Sequence, residues 1–147
     1  MRRLLASLAV ALATLAAPLG AAAQSAVPNL LTIITSDNPQ TQLMALVLTN
    51  ASMQKGSDVR ILLCGPAGDI ALREPPKPAM EPLEPRGMSP QGLMVRLMEA
   101  GVTVEVCAIY LPNLGAGPEV LLQGVGTAMP PAIADVMLDP ETRIFSF

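Results

Sequence analysis

Histidine is missing from all 147 residues, and tryptophan with it. The first absence removes the usual general base near neutral pH, the Ser-His and Cys-His nucleophile pairs, and most zinc sites. Aromatic side chains are confined to Tyr110, Phe145 and Phe147, too few for a platform that stacks bases or sugar rings. Basic residues are scarce as well. Setting aside Arg2 and Arg3 leaves seven against twelve acidic residues, a net charge of −5, and no basic face to meet the phosphates of a nucleic acid. The uncharged apolar run at residues 4–17 is shorter than the roughly 20 residues of a membrane span.

That run has another reading. Arg2 and Arg3 precede it, Pro18 and Gly20 interrupt it, and Ala21-Ala22-Ala23 offers the small residues read by signal peptidase. Residues 1–23 are expected to be a cleavable signal, cut before Gln24. The remainder, residues 24–147, is one domain by size and is expected to be periplasmic or secreted, with no membrane insertion after cleavage.

Strand-like and helix-like segments alternate along that domain. Residues 30–35 (LLTIIT), 59–63 (VRILL) and 102–109 (VTVEVCAI) are apolar, β-rich runs of the kind buried on both faces. Residues 143–147 (RIFSF) read as a terminal strand. Ser36-Asp37-Asn38-Pro39 supplies cap candidates for a helix on which Leu43, Met44, Val47, Leu48 and Ala51 recur at helical spacing, closed by Lys55-Gly56. Ser89-Pro90 opens a second helix, with Leu93, Met94, Leu97 and Met98 as its stripe and Gly101 as its stop. Pro130-Pro131 opens a last one, with Ile133, Val136 and Met137 on one face. Residues 65–72 suit a short helix or turn, 112–118 a loop or broken helix, and 120–125 a short apolar segment. Residues 73–88, rich in Pro and charge and without a period, read as an exposed loop. The alternation predicts an α/β fold with a mostly parallel sheet covered on both faces.

In such sheets ligands bind beyond the carboxyl ends of the strands. Ser36, Asp37 and Asn38 follow the first strand, Cys64 and Gly65 the second, and Cys107 closes the third and leads to Tyr110. These residues form a candidate ligand-binding rim. Cys107 is the first candidate for chemistry and Cys64 the second, because an exposed thiolate is a nucleophile and sulfur carrier. Either cysteine is equally at home as a small buried hydrophobe. A disulfide between them requires the second and third strands to be neighbours. A flavodoxin-like order, with the first strand between them, forbids it, and two unlinked thiols are the expectation. No metal or cofactor motif stands out. The nine methionines suit core filling better than copper binding, the carboxylates at Glu74, Glu81 and Glu84 sit among Arg73, Lys77 and Arg86, and Gly65-Pro66-Ala67-Gly68 lacks the lysine of a phosphate loop.

Three stretches, residues 30–68, 93–111 and 121–147, together resemble the DsrE/DsrF-like (YchN-like) family in their order, most tellingly at Glu99-Ala100-Gly101-Val102 followed by a strand ending in Cys107. The resemblance implies a three-layer α/β/α domain with a five-stranded, mainly parallel sheet, of flavodoxin-like appearance. It implies assembly into trimers or hexamers. It also implies a persulfide on Cys107 that passes sulfane sulfur between a donor and an acceptor protein, Cys64 matching no essential family position. The studied sulfur carriers are cytoplasmic, whereas this chain carries an export signal, and residues 73–88 have no family counterpart. A non-catalytic oligomeric module, binding a small ligand, soft metal ion or partner at the rim, is the alternative.

Overall fold

The computed structural model describes residues 27–147. The expected signal at residues 1–23 and its cut before Gln24 lie outside the described residues. Among those described, no helix is long and apolar enough to cross a membrane.

Local chemistry sets the element boundaries. β1 (Asn29–Ile34) leads to Asn38, whose side-chain oxygen accepts the Gln40 and Thr41 N–H groups at 3.0 and 3.1 Å and so starts α1 (Pro39–Met53). Gly56, with φ of 91°, takes the left-handed turn into β2 (Val59–Leu63). After β2 come a 3-10 turn (Gly65–Ala71) and α2 (Lys77–Met80). Ser89 then caps α3 (Pro90–Glu99) by accepting the Gly92 N–H at 3.1 Å. The chain continues through β3 (Thr103–Cys107), α4 (Tyr110–Leu114), β4 (Gly126–Ala128), α5 (Pro130–Leu138) and β5 (Thr142–Ser146).

All five strands are parallel, in the order β4-β3-β2-β1-β5. The first three crossovers step the same way across the sheet, and right-handed connections therefore place α1 and α3 together on one face. The step from β4 to β5 runs back over three strands and carries α5 to the opposite face.

Alternation along the strands divides the core accordingly. Leu30, Ile34, Ile61, Leu63, Val104 and Val106 pack with α1, α3 and the segment around Tyr110. Leu31 and Leu62 point the other way and meet Ala128 and Ile133, with Cys64 and Cys107 beside them. The fold is thus the expected three-layer α/β/α sandwich, with α5 as its thin third layer.

The strand order, which the sequence leaves open, makes β2 and β3 direct neighbours. Three local expectations need correction. Residues 73–88 are more than an open loop: α2 buries Ala79, Leu83 and Met88 form an antiparallel bridge, and the Gln91 amide holds the Ile70 and Leu72 carbonyls at 2.9 and 2.8 Å. The fourth strand is the three-residue β4, beyond the apolar segment at 120–125, and its Gly-Thr-Ala sequence has no β pattern of its own. On α1 the buried positions are Gln42, Ala45, Leu46 and Thr49, while Met44, Val47 and Leu48 face outward, Met44 being 51% exposed.

Candidate functional site

The carboxyl ends of β1, β2 and β3 form one rim. Register pairs Leu63 with Val106, so the next residues, Cys64 and Cys107, stand opposite one another on adjacent strands. Their Cα atoms are 5.1 Å apart and their sulfurs are joined in a disulfide. This corrects the expectation of two unlinked thiols, and the reason is topological: with β1 on the far side of β2, nothing separates the two cysteines.

Both cysteines are half-buried, backed by Leu31, Leu62, Ala128 and Ile133 on the face that α5 covers. The Cys64 N–H is fixed by the Ile34 carbonyl at 2.9 Å, and the register places Ala128 of β4 beside Cys107. Two large apolar side chains nearby are open to solvent: Ile109, two residues past Cys107, is 71% exposed, and Met129, which follows Ala128, is 64% exposed.

The electrostatics of this face are quiet. Arg60 and Glu105, on the same side of β2 and β3 as the cysteines, bind each other through the Arg60 Nε at 2.8 Å and a second guanidinium nitrogen at 2.6 Å. Arg60 is therefore already paired, and its partner Glu105 is the same-face neighbour of Cys107 on β3. Among the described residues no three His, Cys, Asp or Glu side chains gather in the manner of a metal site.

The other rim residues do different work. Ser36 Oγ accepts the Asn38 N–H at 3.1 Å, Asn38 caps α1, and the Ser36 carbonyl accepts the Gln42 amide at 2.8 Å. Ser36 and Asn38 thereby spend their polar atoms on the start of α1, while Asp37 stands exposed. Gly65, with φ of 55°, makes the left-handed turn out of Cys64. Tyr110 is turned inward: its ring lies against Gly68, and its hydroxyl donates to Asp69 at 2.7 Å. Burial, and then the Asp69 carboxylate, hold its phenol well above the ordinary range. Of the predicted rim, the structure brings Cys64 and Cys107 together and gives Tyr110 a packing role.

A feature that the sequence did not flag is a cleft of about 1230 Å³ between α1, α3 and the Pro-rich segment, lined by Leu43, Met44, Val47, Leu83, Met88 and Arg96 among others. It lies on the α1/α3 side of the sheet, away from the sulfur pair. Its signal was the doubled apolar width of α1, which exceeds what one sheet face can cover.

No protein-family model matches the chain, and no curated protein matches it either. Solved structures do. The YchN protein from E. coli superposes with a TM-score of 0.61 at 17% identity, over 82% of this chain and 99% of that one. A protein of unknown function from Methanobacterium thermoautotrophicum, MTH1491, gives 0.59 at 14% identity, over 82% and 99%. The DsrE/DsrF-like resemblance read from the sequence is borne out at the level of the fold.

Proposed function

Proceeding from the fold shared with YchN, we propose that this chain is an exported thiol protein that takes up and passes on sulfane sulfur through Cys107, in the state where the Cys64–Cys107 disulfide has been reduced. The observation that carries this reading is the placement of both sulfurs, half-exposed and in bonding contact, at the carboxyl end of adjacent parallel strands. In the reaction the Cys107 thiolate attacks the outer sulfur of a donor persulfide. The donor S–S bond breaks, the donor leaves as a thiolate, and Cys107 retains an S–SH group. An acceptor thiolate then removes the outer sulfur by the same step in reverse. Exposed Ile109 and Met129 beside the pair suit contact with a protein donor or acceptor. Export explains how a disulfide persists as the resting form. Assembly into trimers or hexamers is part of the same proposal.

The test is a mass measurement. Reduced Cys64→Ser protein, in which no second thiol faces Cys107, is exposed to polysulfide and weighed intact. Gain of one sulfur atom, lost in Cys107→Ser, supports the reading; an unchanged mass, or gain that survives Cys107→Ser, rejects it.

A second reading rests on the cleft beside α1. Its volume fits a small apolar ligand, and its lining is mostly aliphatic and thioether side chains. In this reading the protein is a non-catalytic module and the disulfide only joins two strands. A soft metal ion finds no thiolate while the disulfide is intact. Fluorescence titration with an apolar probe decides it: saturable binding weakened by Met44→Glu supports a ligand site, and binding indifferent to that change removes it.

A further inference from the structure

We infer that Cys64 resolves the Cys107 persulfide, so that the disulfide seen here is the product of a turnover in which sulfane sulfur leaves as hydrogen sulfide. This rests on the reading of Cys107 as the sulfur acceptor. It assigns a role to Cys64, and it makes the chain a reducer of sulfane sulfur as well as a carrier.

The argument starts from the register. Cys64 and Cys107 are cross-strand neighbours on two central strands of a parallel sheet, each flanked by a further strand. Any persulfide built on Cys107 keeps its inner sulfur where the disulfide now places it, against Cys64. A nucleophile held at that range by a rigid sheet acts at an effective concentration far above that of a diffusing acceptor. Two groups that could steady a charged persulfide are already engaged: Arg60 is bound to Glu105, and the Cys64 N–H is bound to the Ile34 carbonyl.

The step balances. The Cys64 thiolate attacks the Cys107 sulfur, forming the Cys64–Cys107 bond. The bond between the Cys107 sulfur and the outer sulfur breaks, and the outer sulfur leaves as HS⁻. Two electrons pass from the pair of cysteine sulfurs to the sulfane sulfur. The dithiol is regenerated by a dithiol reductant, which becomes a disulfide and supplies two protons. An acceptor protein must therefore intercept the persulfide before Cys64 does, and without one the output is sulfide.

Single-turnover chemistry tests this. The protein is reduced, freed of reductant, treated with limiting polysulfide, and followed by sulfide assay and intact mass. The wild type is expected to gain one sulfur atom, release it as sulfide, and end two hydrogens lighter than the dithiol. In Cys64→Ser, and in Cys64→Ala as a check on folding, the persulfide is expected to last about ten-fold longer or more, and the sulfide released after uptake, beyond that leaving the polysulfide in the uptake step itself, falls in proportion. A wild-type persulfide as long-lived as that of either variant, with its second thiol still free, overturns the inference and leaves Cys107 as an acceptor. Failure of both variants to take up sulfur on Cys107 overturns the acceptor reading itself.

Discussion

Thr49 of α1 donates its hydroxyl proton to the Ala45 carbonyl at 2.8 Å, so the 2.7 Å bond between its oxygen and Thr32 of β1 has Thr32 as donor. Both residues are 1% exposed, and no other side-chain hydrogen bond links α1 to the sheet among the described residues. Thr49→Val leaves the Thr32 hydroxyl buried without its acceptor and is expected to cost about 1–3 kcal/mol. The double variant Thr32→Val/Thr49→Val removes both partners and should cost clearly less than the two single changes together. Urea unfolding of the four proteins measures the coupling.

This pair also explains why the buried face of α1 departs from its apolar stripe. Gln42 reaches the Ser36 carbonyl, Ala45 is small enough to let the helix approach the sheet, and Thr49 finds Thr32. Periodicity weighs apolarity alone and so chose the stripe of Met44, Val47 and Leu48, which faces out. Four of the five strands and the caps at Asn38 and Ser89 are legible, because apolar, β-rich runs and side-chain caps are local signals. The strand order is not, since it depends on which way each crossover turns. With the order went the disulfide, whose feasibility is decided by the neighbour of β2 and by nothing in the Cys spacing. β4 was invisible for a different reason: it is three residues long and contains glycine.

The cap at Asn38 separates stability from chemistry. Asn38→Ala removes the acceptor of the Gln40 and Thr41 N–H groups and should lower stability by about 1 kcal/mol. Sulfur uptake at Cys107 should be unchanged. A fall in uptake without a fall in unfolding midpoint would instead place Asn38 in the reactive site.

Tyr110 and Gly68 form a tight contact with a pH signature. A Cβ at position 68 would overlap the Tyr110 ring, so Gly68→Ala should destabilise by about 1–3 kcal/mol. The folded phenol titrates above its unfolded value near 10. Its contribution is therefore complete below that pH and is lost as pH rises beyond it, because the unfolded chain loses its proton first. Stability should decline above about pH 10. Tyr110→Phe should flatten that decline while losing the bond to Asp69, as alkaline thermal melts will show.

Reduction should loosen the domain without dismantling it. The disulfide closes a loop across a sequence separation of 43. By chain entropy this contributes at most about 4 kcal/mol. Melting with and without a strong reductant should show a lowered midpoint for the wild type and no reductant effect in Cys64→Ser/Cys107→Ser. A midpoint that ignores reductant in the wild type would mean that the two sulfurs were not joined in solution.

β5 lies against β1, although more than a hundred residues separate them in sequence, and Phe147 closes the seam by exchanging backbone hydrogen bonds with Ile33 and Thr35 at 2.9 and 2.7 Å. Synthesis therefore produces the inner partner long before the outer one. Until the tail arrives, a nascent chain presents β1 as an unpaired border, the kind of template on which foreign strands add. A variant lacking residues 142–147 should consequently show itself first as clumping during production, ahead of any loss of sulfur chemistry.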